Sequence, residues 1–123
     1  MAGNSDRLAA LGFLLRLLAG RLSGGNQQKV VLGKALMTRP RVILLDEPSR
    51  GIDIGAKAEI YARINMLTAR GCAVLLVSGD LLELLGLSDR ILMLHAGTVA
   101  GTHAGRDATA QTLLQAALGH SSP

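Results

Sequence analysis

The sequence predicts an α/β fold, a mostly parallel sheet with flanking helices, and three observations carry that expectation. Two apolar runs, Val42 to Leu45 and Ala73 to Val77, lack polar alternation, the pattern of strands covered on both faces in a parallel sheet. A segment with helical spacing lies between them, as the strand-helix alternation of an α/β domain requires. Composition agrees: 49% hydrophobic residues with only 2% aromatic suits a core of Leu, Ile, Val and Ala. At 123 residues the chain is one domain or a piece of one.

Residues 1–20 read as a polar start followed by a Leu/Ala-rich helix whose apolar residues nearly surround it, so that it needs covering. Its apolar stretch, Leu8 to Ala19, is interrupted by Arg16 and is shorter than the ~20 residues of a spanning helix. It carries no signal-peptide pattern, and Asp6 stands where a basic leader would be. After Ser23, Gly24 and Gly25 a second helix runs from about Asn26 to Met37, which Pro40 forces to stop. Val42 to Leu45 is the first strand, and Ser49 to Ile54 is a loop. A helix from about Gly55 to Ala69 puts Ile60, Ile64 and Leu67 on one face, and Gly71 ends it. Ala73 to Val77 is the second strand, Ser78-Gly79-Asp80 a turn, and Leu81 to Leu85 a short helix. Asp89 to Leu94 and Thr98 to Gly101 form a hairpin around Ala96-Gly97. Asp107 is expected to cap a last helix reaching about Leu118, with Gly119 beyond its end.

The charge balance excludes more than it suggests. A net charge of +4 invites a polyanion, yet the Arg and Lys residues are scattered. Only Phe13 and Tyr61 could offer a stacking platform, so no nucleic-acid partner is expected. The single cysteine, Cys72, rules out an internal disulfide and is expected to be a small buried side chain. His95, His103 and His120 read as ordinary surface or turn residues.

Two constellations carry chemistry. Asp46 and Glu47 close the first strand at its carboxyl end, where open α/β sheets place ligand chemistry. Side chains alternate along a strand, so adjacent carboxylates take different jobs: one can hold Mg²⁺, and the other can orient and deprotonate an attacking water. Phosphoryl transfer needs those two roles. Upstream, Ser23-Gly24-Gly25 opens a helix whose unpaired N–H groups and partial positive charge favour an anion. Glycines there let a phosphate approach the backbone. A phosphate-cradling G-x-x-x-x-G-K-[ST] loop is not found. The nearest candidate, Gly33-Lys34-Ala35, has Gln28 where the first Gly belongs and Ala35 where the hydroxyl belongs.

Taken together, these motifs resemble those of ABC-transporter ATPases. Leu22 to Lys29 is similar to their signature, Val42 to Pro48 to their Walker B strand, and Ser49-Arg50-Gly51-Ile52-Asp53 to their D-loop. The Asn26-Gln27-Gln28-Lys29 form, the run Arg50 to Lys57, and the endings Leu85 to Ile91 and Ala108 to Ala117 resemble the second ATPase half of monosaccharide importers of the ribose, galactose and xylose types. The resemblance implies a partial P-loop NTPase domain over 21–119, with its amino-terminal half missing, a non-matching lead over 1–20 and a tail over 120–123. It implies ATP and Mg²⁺ as cofactors. Ser23, Gly24, Gly25 and Asn26 would bind nucleotide held by an opposite domain. Asp46 would serve the metal, Glu47 would act as base, and Asp53 would tie two ATPase domains together. The implied partners are a second ATPase domain and membrane permease subunits, at the cytoplasmic inner face of the cell membrane.

One departure lies inside the chain, where Gly79 replaces the family's switch histidine. This fits the second half of sugar importers and bears on hydrolysis. The competing reading is a non-catalytic signature-donor module acting in trans. A DNA-repair or chromosome-maintenance ATPase tail is disfavoured by the sugar-type run after Asp53 and the lack of coiled-coil heptads. Without neighbouring strands, Val42 to Leu45 is expected to leave an exposed edge or face and to favour self-association.

Overall fold

A computed structural model describes residues 24–120, which fall into two compact units divided between Val77 and Ser78. The expected Leu-rich lead over 1–20 and the last tail residues lie outside the described residues.

The first unit holds helix α1 (Gly24–Thr38), strand β1 (Val42–Asp46), helix α2 (Ile54–Ala69) and strand β2 (Ala73–Val77). The strands pair in parallel, from Val42 opposite Ala73 to Asp46 opposite Val77, with α2 as the crossover. The core forms where α1 and α2 meet: Leu32, Ala35 and Leu36 on one helix, Ile60, Ile64 and Leu67 on the other, with Leu45 beneath. Those α2 residues are the expected face, because three- and four-residue spacing aligns them. Lys29 Nζ reaches Glu59 Oε2 at 2.7 Å and links the two helices. Cys72 is buried, as expected.

Two boundaries differ by small amounts with clear causes. α1 begins at Gly24, so the glycine pair forms its first turn rather than preceding it. α2 begins at Ile54 because the Asp53 side chain accepts a hydrogen bond from the Ala56 N–H at 2.9 Å and caps it.

The two-face burial suggested by the apolar runs holds on one face only, and the other is the exposed face expected of Val42 to Leu45 without neighbouring strands: Val42, Leu44, Leu75 and Val77 are exposed, Leu44 at 71%. Side chains alternate along a strand, so the helices take only the face bearing Leu45. The bare face explains the reading: these positions are apolar although solvent meets them.

The second unit holds helix α3 (Leu81–Leu87), strands β3 (Arg90–His95) and β4 (Thr98–Ala104), and helix α4 (Ala110–Ala117). Asp80 caps α3, its Oδ1 accepting from Leu82 N at 3.0 Å and Glu83 N at 3.3 Å. β3 and β4 form the expected hairpin. Ala96 and Gly97 both lie at positive φ, 47° and 79°, as a two-residue turn matched to strand twist requires. β4 runs past Gly101 to Ala104. Ile91 and Met93 point into the core with Leu113 and Ala116 of α4. Gly105 donates its N–H to Asp89 O at 2.8 Å, and a Cβ there would collide with the Ser88 carbonyl.

Three expectations are corrected here. The last helix is capped by Thr109, not Asp107: Thr109 Oγ1 accepts from Thr112 N at 3.1 Å, and Thr112 Oγ1 accepts from Thr109 N at 3.1 Å. This reciprocal box satisfies two end donors at once, while Asp107 sits two residues earlier, beside the Arg106 guanidinium. His103 is half-buried rather than a plain surface residue, with its Nε2 buried. The short helix extends two residues past Leu85 to Leu87. His95 is exposed as expected, and its Nδ1 lies 2.8 Å from Ala117 O. No helix of the described residues is long and apolar enough to cross a membrane.

Candidate functional site

The site grows from the end of β1. The apolar run fixes the strand, and its last residue, Asp46, emerges exposed at the carboxyl end. Glu47 follows in the left-handed region, at φ 47°. A glutamate held there is unusual, because its Cβ crowds the backbone. The next contacts hold it: the Glu47 N–H donates to Val77 O at 2.7 Å, extending the ladder one residue beyond β1.

The chain then turns at once. Pro48 and Ser49 are among the most buried residues, and Glu47 O accepts from Arg50 N at 3.2 Å. Ser49 O accepts from Ile52 N at 3.2 Å, and Gly51 takes φ 71°. Asp53 closes the loop as the α2 cap. Burying Pro48 and Ser49 anchors the segment, so Glu47 is displayed by backbone geometry rather than by a flexible loop. Asp46, Glu47 and Asp53 thus share one loop at the carboxyl end of the parallel pair. The cap gives Asp53 a local task in addition to its expected one between domains.

Gly24 and Gly25 open α1, where unpaired N–H groups gather. Ser23 lies outside the described residues, and Asn26 is placed only as a backbone position in α1. Lys29 was legible only as a motif letter, but its pairing with Glu59 ties the glycine-opened helix to the helix after the carboxylate loop. No signal at the sequence level singles out Glu59.

Among the described residues no group of three or more His, Cys, Asp or Glu side chains gathers to hold a metal. Asp46 therefore offers a carboxylate outside any protein cage of three or more such side chains among the described residues. That donor set fits Mg²⁺, which keeps several waters and binds through one or two carboxylates plus substrate phosphates.

At the switch position, Gly79 sits in a bend between Ser78, whose Oγ accepts from Asp80 N at 3.0 Å, and the capping Asp80. The segment is built as a helix start.

Comparisons with known proteins point to one family. The ABC transporter family matches residues 5–50, a span that begins within the Leu-rich lead. The chain is 58% identical over 114 residues to the xylose import ATP-binding protein XylG of Moorella thermoacetica, covering 93% of this chain and 23% of that protein. It therefore spans about a quarter of that relative's length. The ADP conformation of MJ1267, an ATP-binding cassette of an ABC transporter, superposes with TM-score 0.66 at 28% identity, covering 87% of this chain and 45% of that one. An inward-facing, putative metal-chelate type ABC transporter shares the fold at TM-score 0.72 and 20% identity, over 96% of this chain and 50% of that one. The parallel pair, the loop at its end and these relatives lead to one assignment: the chain belongs to the ATP-binding domains of ABC transporters, with the P-loop NTPase fold.

Proposed function

We propose that the chain acts in ATP hydrolysis as part of the ATP-binding subunit of a sugar importer. The display of Asp46 and Glu47 at the carboxyl end of β1, with Glu47 fixed in left-handed backbone, carries the reading. The likeness to a xylose-import protein supports the substrate class. Residues 21–119 form the cassette segment, 1–20 a lead and 120–123 a tail.

The residues take separate roles in this reading. Asp46 holds Mg²⁺, which when bound supplies charge neutralisation to the phosphates. Glu47 orients water and accepts its proton; anchoring by Val77 O, Pro48 and Ser49 keeps its position fixed, as phosphoryl transfer demands. Ser23, Gly24, Gly25 and Asn26 bind nucleotide held by an opposite ATPase domain, as a helix amino end suits an anion. Asp53 faces that domain while capping α2. The phosphate cradle comes from a segment or chain other than these 123 residues, since they hold no such motif. Membrane permease subunits are the mechanical partners, which places the protein at the cytoplasmic face of the membrane.

The test pairs the chain with an ATPase domain carrying an intact phosphate loop and measures ATP turnover. Glu47→Gln is expected to lower turnover by about 10²–10⁴-fold, the usual contribution of a positioned general base. Unchanged turnover favours the second reading, a signature donor acting in trans without its own chemistry, which Gly79 supports.

A further inference from the structure

α1 and α2 lie side by side and run in the same direction. Arg39 and Arg70, just past their carboxyl ends, line one cavity, and Lys29 meets Glu59 toward their amino ends. α2 starts from Asp53, the last residue of the loop that begins at Glu47. The glycine pair that opens α1 therefore lies at the same end of the first unit as the carboxylate loop.

Two kinds of contact join the helices. Toward the carboxyl ends, Leu32, Ala35 and Leu36 of α1 pack with Ile60, Ile64 and Leu67 of α2. Nearer the amino ends stands the ion pair, with Lys29 Nζ 2.7 Å from Glu59 Oε2. Each partner is the sixth residue of its helix, so the link lies roughly 7.5 Å in from both helix starts. Apolar burial is non-directional, whereas a hydrogen-bonded ion pair fixes distance and register.

The partners are unequal. The Lys29 side chain is 16% exposed and that of Glu59 is 59% exposed. An ammonium at position 29 has lost most of its water, and an apolar side chain of similar length fills such a site at no loss of stability. Stability alone therefore does not require the charge. We infer that Lys29 and Glu59 are positioning residues, whose ion pair holds the glycine-opened start of α1 in register with the loop bearing Glu47 and Asp53. The inference rests on the proposed roles of Gly24, Gly25 and Glu47, through which the pair acts. Without the link the two ends of the site shift independently, while the opposite domain's cradle still takes up ATP. The signature is a fall in kcat with KM for ATP little changed.

The full chain, paired with an ATPase domain carrying an intact phosphate loop, is assayed as Lys29→Met, Glu59→Gln, the double variant and Gly25→Glu, with a thermal melt of each. Lys29→Met and Glu59→Gln are each expected to lower kcat about tenfold and to leave KM within about twofold. The double variant should lose no more than either single one, because one link is broken in all three. Lys29→Met should melt within about 4 °C of the parent. Glu59→Gln should melt lower, since it leaves a largely buried ammonium unpaired; if it fails to fold, Lys29→Met carries the test. Gly25→Glu places a negative charge at the helix start and should abolish the turnover that depends on it. Unchanged turnover in Gly25→Glu overturns the proposed function and this inference with it. Loss in Gly25→Glu beside parental kcat in Lys29→Met overturns this inference alone. So does a double variant whose loss is the product of the two single losses, or a kcat that merely follows melting temperature across the variants.

Discussion

The two units each contain a strand pair, and they reach it by different routes. β3 and β4 are joined by Ala96-Gly97, two residues already bent the right way. β1 and β2 pair in parallel across the α2 crossover. In β3 every second residue near the centre is buried, Ile91 and Met93, under α4. In β1 only Leu45 is fully buried. The hairpin unit thus closes its pairing through near neighbours. The parallel unit depends on contacts distant in sequence, whose loop-closure cost precedes their reward.

That contrast can be broken most sharply at Gly105. Gly105→Ala forces a Cβ into the Ser88 carbonyl and is expected to cost about 3 kcal/mol. Hydrogen exchange should show amides of β3 and β4 losing more protection than those of α2. A uniform loss would mean that the units unfold together.

A smaller effect separates two candidate caps. Thr109→Ala should destabilise by about 1 kcal/mol, whereas Asp107→Ala, at an exposed ion pair with Arg106, should change stability by less than about 0.5 kcal/mol. Thermal melts of the two variants decide it.

The smallest stability change with the largest change in behaviour belongs to the bare face. Leu44→Lys combined with Leu75→Lys replaces exposed leucines and should leave stability within about 0.5 kcal/mol per site. Sedimentation should show weaker self-association than the parent chain, because charge on an open sheet opposes pairing with another copy.

Much of this architecture was legible in the sequence. β1, β2, the buried face of α2 and the hairpin turn each follow from a period or a turn pair that needs no distant information. What escaped notice depended on company. Apolar content at Val42 and Leu44 says that a residue could be covered, not that it is. Asp107 was a reasonable cap by residue type, but Thr109 had Thr112 three positions ahead and could make the reciprocal bonds. Of the site, Asp46, Glu47 and Asp53 were readable because they are close in the chain. The Lys29–Glu59 pair was not, because only the packing of α1 against α2 brings the two side chains together.

The left-handed backbone at Glu47 sets local stability against the side chain it carries. At that φ glycine and asparagine sit at ease, whereas a glutamate costs about 1–2 kcal/mol. Glycine at position 47 would relieve this backbone and remove the carboxylate in one step, so stability and the proposed chemistry pull on the residue in opposite directions.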